Sequence, residues 1–144
     1  MPQSGTIRLV ISTPQGIFYQ NDVYLVSLKT SQGYIGLQVN HMPFISNVEI
    51  SSLRIHEQPL SRGFAAVKTA AIGGGLVFAE KSYIDIFTDD IAWASEINKS
   101  AVEQQIERAH AQLAAAQQRQ DHLAQRKNEL ALKKAINRLA TLDK

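Results

Sequence analysis

The densest set of residues able to do chemistry is Gly33-Tyr34-Ile35-Gly36-Leu37-Gln38-Val39-Asn40-His41-Met42-Pro43-Phe44. A histidine beside a proline in a glycine-bearing loop could act as an acid or base, provided that partner groups converge on it. None is evident. The chain has no cysteine, which excludes disulfides, thiolate metal sites and a cysteine nucleophile. No serine–carboxylate arrangement near His41 suggests a triad, so the residues favour a structural or contact role for it.

Other candidates fail on spacing. Ile72-Gly73-Gly74-Gly75-Leu76 lacks the Gly-Lys-Ser/Thr ending of a phosphate loop, and a strand-like run follows it rather than a helix. A glycine cluster in that context predicts a turn, a bulge or a close backbone approach. Asp85, Asp89 and Asp90 do not have the spacing of a calcium loop. His41, His56, His110 and His122 include no His-x-x-x-His pair. The residues therefore predict no catalytic, metal or cofactor site, and Trp93 is expected to cover a domain edge.

The elements that carry these residues change period near Ser95–Ser100. Before that point apolar residues alternate, as in Ile7, Leu9 and Ile11 or Leu53 and Ile55. Tyr24 to Leu28 and Tyr83 to Phe87 are rich in aromatic and β-branched residues, as strands are. Turn signals separate the runs at Pro14-Gln15-Gly16, Asn21-Asp22, Ser31-Gln32-Gly33, Asn40 to Pro43, Gln58-Pro59 and Glu80-Lys81-Ser82. Short strands at that interval predict a sandwich or small barrel.

The remainder reads as helix. Ser100-Ala101-Val102-Glu103 has the capping-box pattern. Val102, Ile106, Ala109, Leu113 and Ala116 then form one stripe, and Leu132, Ala135, Ile136, Leu139 and Leu142 a second. No glycine or proline follows Gly75. Gln117 to Asp121 is the expected turn, with Asp121 able to cap a second helix. The arm could fold back as a hairpin or extend as one helix of roughly 60 Å at ~1.5 Å per residue. The fold class expected is α+β: an antiparallel β-sandwich over residues 1–96 and a two-helix arm, able to extend, over 97–144.

Charge follows the same boundary. Residues 1–96 carry six Lys/Arg against eight Asp/Glu, and residues 97–144 nine against five. Arg126, Lys127, Lys133, Lys134 and Arg138 supply much of the excess. They read either as a solvated helix face or as a docking face for an acidic partner. No stretch approaches the ~20 apolar residues of a membrane-spanning helix, and residues 1–5 lack the pattern of a signal peptide.

The order of these pieces resembles the epsilon chain of bacterial and chloroplast F-type ATP synthases over nearly the whole length. The markers are Gly33-x-x-Gly36-x-x-x-Asn40-His41-x-Pro43, the run Ile50 to His56, and Ile72-Gly73-Gly74 followed by Leu76-Val77-Phe78 and Ile84 to Asp89. Glu129 to Leu139 resembles the basic last helix of that family. The resemblance implies a sandwich of about ten strands and a non-catalytic role, without cofactor, in the central stalk. The sandwich would bind the gamma chain and sit against the membrane c-ring, with Tyr34, His41 and Met42 at the ring contact. The arm would reach the catalytic alpha and beta chains through Arg126, Lys127, Lys133, Lys134 and Arg138 and inhibit ATP hydrolysis. The location implied is the cytoplasmic face of the bacterial cell membrane rather than the chloroplast thylakoid, with membrane association through the complex alone and no nucleic acid bound.

Two departures qualify what carries over. Some relatives have an acidic residue at the position of Tyr34. Others bind ATP through an Ile-Asp-x-x-Arg motif, where this chain has Ile97-Asn98-Lys99-Ser100-Ala101. Asn98 and Ala101 replace the aspartate and the arginine, so ATP binding by the isolated chain is expected to be weak or absent. The competing expectation from another class is a β-sandwich adaptor whose basic tail binds nucleic acid or another acidic partner. An enzyme pairing His41 with Asp85 ranks last.

Overall fold

Alternation becomes a two-layered sheet because every second side chain of a strand must leave water on the same side. In the computed structural model, which describes residues 5–59 and 67–142, Ile7, Leu9 and Ile11 of β1 (Ile7–Thr13) are almost wholly inaccessible while Arg8 faces solvent. Residues 1–4, part of the stretch read above as lacking a signal-peptide pattern, lie outside the described residues. The further strands are β2 (Gly16–Val23), β3 (Leu25–Thr30), β4 (Gly33–Leu37), β5 (Phe44–His56), β6 (Val67–Ala79), β7 (Tyr83–Phe87) and β8 (Ile91–Trp93). A 3₁₀ turn (Ala94–Glu96) leads into α1 (Lys99–Gln118) and α2 (His122–Leu142).

The eight described strands form a sheet in the order β2-β1-β7-β6-β5-β3-β4, with β8 added to β6. All pairs are antiparallel except β1 with β7. That parallel pair joins strands far apart in sequence, so no local pattern announces it. The expected turn at Asn21-Asp22 is also absent: both residues lie inside β2, opposite Leu9 and Arg8. Asn21 and Asp22 are tolerated there because β2 is an edge strand.

The long β5 and β6 tie the layers together. The first half of β6 pairs with β8 through Ala70–Ile72, and the second half pairs with β7 through Leu76–Ala79. Gly73–Gly75 occupy the changeover, where the β5–β6 ladder keeps its register from Val48↔Gly75 to Ile50↔Gly73 and only the step between them, at Gly74, is unpaired. Gly74 has a φ of 92°, in the left-handed region that glycine adopts without steric cost. A Cβ on Gly75 would run into the backbone carbonyl of Phe87. Of the turn, bulge or close approach that its context predicts, the glycine cluster is the close approach, since the register through it does not change. Between the layers Val26, Leu28, Leu53, Ile55, Ile72, Val77, Ile84 and Ile86 join the β1 residues in one buried cluster.

The helices form the expected antiparallel hairpin. Val102, Ala109 and Ala116 are buried along α1, with Ala135 of α2. Asp121 caps α2, its Oδ1 accepting from the Ala124 N–H at 3.1 Å. The N-cap of α1 differs from the expected capping box. Asn98 is the cap, its side chain accepting from the Ala101 N–H at 3.1 Å, and Ser100 lies within the first turn. Asparagine caps at least as well as serine, so the helix starts one residue before Ser100. The second stripe also needs correction: Ile136 is 48% exposed, whereas Thr141 is buried.

Candidate interaction surfaces

Three surfaces could engage partners: the Gly33–Pro43 loop, one outer face of the sheet, and the helical arm.

The loop is shaped by its backbone. Gly33 (φ 112°) and Asn40 (φ 67°) adopt left-handed conformations. The Asn40 N–H donates to the Lys81 carbonyl at 2.8 Å, tying the loop to the β6–β7 turn. Thr30, Ser31 and Gln32 face Phe44, Ile45 and Ser46 across a shallow depression at the same end. Tyr34 is about half exposed, with the Lys29 ammonium 5.8 Å from its ring centre. Met42 is 84% exposed, which an isolated soluble surface gains nothing from. His41 differs from both: its Nδ1 donates to the Met42 carbonyl at 2.7 Å, and Phe44 meets its ring edge-on. Its Nε2 is shielded from solvent and has no partner. Thus Tyr34 and Met42 present contact area, while His41 braces the loop.

A second surface was not singled out from the sequence. Ile45 pairs with Phe78, Leu76 with Phe87, Phe87 with Ser12, and Ser12 with Ile17. Paired residues share a face, and Ile17, Ile45, Leu76, Phe78, Tyr83 and Phe87 are all exposed on it. Phe78 and Phe87 meet edge to face at 5.6 Å. A contiguous apolar face of this kind marks a protein contact more often than solvent surface. The available signal was that β6 and β7 are apolar at both parities, so one face had to lack cover from this chain's own core. A groove of about 650 Å³ continues this face past Pro14 and Gly73–Gly75 to Leu130 and Lys134 of α2.

The arm lies back on the sandwich through polar contacts. Arg138 forms an ion pair with Asp90 and reaches Gln105 of α1 at 3.5 Å. Lys134 approaches Asp89 at 4.0 Å. Asn137 Nδ2 donates to the Ser51 carbonyl at 2.8 Å, and the hydroxyls of Ser52 and Thr141 meet at 2.7 Å. The five arm cations are therefore divided. Lys134 and Arg138 turn towards the sandwich, whereas Arg126, Lys127 and Lys133 are exposed.

A cleft of about 360 Å³ between hairpin and sandwich is lined by Arg108, Lys134, Arg138 and Asp90. Two of its three cations already have a carboxylate nearby, so an anion there would compete with the chain's own acids. Among the described residues no three His, Asp or Glu side chains converge in a way that could hold a metal. No helix among them is long and apolar enough to cross a membrane.

Near the arm's end, Phe18 stacks on Trp93 at 4.8 Å and Tyr19 meets it edge-on. Trp93 is half-buried, as expected of an edge cover. Burial, followed by its hydrogen bond to Glu57, holds the Tyr19 phenol well above its ordinary pKa.

Comparison with known proteins agrees with this geometry. Residues 6–94 match the profile of the ATP synthase delta/epsilon chain β-sandwich domain. The ATP synthase epsilon chain of Mycoplasmopsis pulmonis is 34% identical over 133 residues, covering 92% of this chain and 90% of the relative. That of Ruminococcus albus is 32% identical, covering 97% of this chain and 98% of the relative. In fold, a chain of the Euglena gracilis mitochondrial ATP synthase superposes with a TM-score of 0.77 at 19% identity, over 95% of this chain and 81% of that one.

Proposed function

The chain belongs to the ATP synthase delta/epsilon family, and from that premise we propose that it is the central-stalk subunit that links ring rotation to the catalytic head and restrains ATP hydrolysis. The observation that carries this reading is the match of sandwich and arm together to epsilon chains over more than nine-tenths of the length. The chain is a non-catalytic subunit of the complex.

Its surfaces divide the work. The apolar face built from Ile17, Ile45, Leu76, Phe78 and Phe87 suits a permanent stalk partner, the gamma chain, because it is too apolar to be left in water. Tyr34 and Met42, at the tip of the loop braced by His41, suit the c-ring. Arg126, Lys127 and Lys133 face outwards towards acidic surfaces of the alpha and beta chains, joined by Lys134 and Arg138 when the arm lifts. The molecule then works at the cytoplasmic face of a bacterial membrane, held there by its partners. The division at residue 96 separates a stalk-binding part from a regulatory one. The nucleic-acid reading is weaker, since Lys134 and Arg138 are turned to sandwich carboxylates rather than extending one positive stripe.

The test is ATP hydrolysis by the cognate catalytic head, depleted of this subunit, as the purified chain is titrated in. Saturable inhibition, lost on truncation after Ser95 while binding is retained, is the expected result. Failure to bind the head would overturn the stalk assignment. Binding without inhibition would leave the arm a structural element.

A further inference from the structure

The contact between α2 and the sandwich rests heavily on hydrogen bonds and charge. Asn137 reaches the carbonyls of Ser51 and Ile72, Thr141 meets Ser52, and Arg138 meets Asp90. Hydrogen bonds exchange for bonds to water at small net cost, so such a seam can open without leaving an apolar wound. Among these contacts the Arg138–Asp90 pair is the charged one with both side chains mostly withdrawn from solvent, at 27% and 19% exposure. Charge-assisted bonds of this kind outweigh neutral ones. Lys134–Asp89 is longer, and Asp89 is 74% exposed, so solvent screens it.

The sandwich holds Asp90 in place for this pairing. The Gly73 N–H donates to the Asp90 carbonyl at 2.7 Å. Thr88 Oγ1 accepts from the Asp90 N–H at 3.2 Å while donating to the Gly74 carbonyl at 2.6 Å. A Cβ on Gly73 would occupy the space of the Asp90 carboxylate and Cβ. The first glycine of the triplet thus vacates the pocket in which the Asp90 side chain sits, aimed at α2.

We propose that Asp90, seated against Gly73, is the latch that keeps the arm folded by binding Arg138, so that the full basic face becomes available only after this pair breaks. The latch rests on the reading of the arm as a movable regulatory element. It makes the arm's folded state compete, residue for residue, with any acidic partner. Arg138 cannot serve both carboxylates, so a partner must displace Asp90 to recruit it.

The experiment uses the full chain, whose lack of cysteine allows two spin labels at introduced cysteines in exposed positions, Gln20 on the sandwich and Ala114 on α1. The unsubstituted latch should give one short, narrow distance distribution. Asp90→Asn keeps the shape of the side chain and should raise the released population about tenfold, as expected for losing one partly screened charged hydrogen bond. Arg138→Lys should release less than Arg138→Gln, and Lys134→Gln should change nothing. An Asp90→Asn distribution identical to that of the starting chain overturns the latch, as does equal release by Lys134→Gln. Hydrolysis assays separate the two proposals. Asp90→Asn should inhibit the head at about tenfold lower concentration. Release of the arm without any change in inhibition would leave the latch standing and sink the inhibitory role.

Discussion

Ser52 in β5 and Thr141 near the end of α2, 89 residues apart in the chain, place their hydroxyl oxygens 2.7 Å from each other in a buried seam. Thr141 donates its own proton to the Asn137 carbonyl at 2.8 Å, which leaves Ser52 as the donor between the two. Replacing Thr141 with valine strands the Ser52 hydroxyl, at about 1–3 kcal/mol, whereas Ser52→Ala removes a donor and costs about 1 kcal/mol or less. Amide exchange along α2 should therefore quicken more in Thr141→Val than in Ser52→Ala. Equal effects would contradict this bonding direction.

Gly75 tests the close approach within the sandwich. Because the obstructing atoms are the Phe87 carbonyl and the Thr88 Cβ, a methyl group at Gly75 can be admitted only by moving backbone. Gly75→Ala should cost about 3 kcal/mol and lower the melting temperature by on the order of 10 °C. An unchanged melting temperature would mean that β6 and β7 shift apart freely.

His56 makes the sandwich sensitive to mild acid. Burial, and secondarily the positive charge of Arg54, lower its pKa below the ordinary 6.5. The unfolded chain therefore takes up the proton first as the pH falls. The stability contribution is complete above pH 6.5 and is lost on the way down towards the lowered folded value. Urea midpoints should be lower at about pH 5.5 than at about pH 7.5. His56→Gln should flatten that difference, and a slope that survives the substitution would assign it to other groups.

On the proposed division of labour, the exposed arm cations should separate inhibition from attachment. Reversing charge at Arg126, Lys127 and Lys133 should weaken inhibition of the catalytic head about tenfold or more while the chain still copurifies with the stalk. Loss of both together would refute the division of labour between arm and sandwich. Unchanged inhibition would remove these cations from the contact.

Much of this architecture was legible because burial leaves a period behind. The alternation in β1, the alanine-bearing stripe from Val102 to Ala116 and the cap at Asp121 are local signals, and each is found where it was expected. What escaped detection depends on distant partners. Asn137 and Thr141 look like solvent-facing residues, yet they meet Ser51 and Ser52; Ile136 looks like core and faces water. The pairing of β1 with β7 and of Asp90 with Arg138 leaves no trace in neighbouring residues. The glycine triplet was readable as a close approach but not as the seat of Asp90, because the side chain it accommodates comes from the connection between β7 and β8.

The pairing of β5 with β6 gives the sandwich a mechanical character. From Phe44↔Ala79 to His56↔Val67 the two strands are joined along almost their full lengths, and the ladder runs through both layers. A pull along the strands, applied between the loop end near Pro43 and the opposite end, loads these bonds in shear, so they must yield together rather than one at a time. Such a block resists forced unfolding through a slow rupture rate rather than through equilibrium stability alone. If the sandwich carries load between two partners, as proposed, this ladder sets how slowly it would give way.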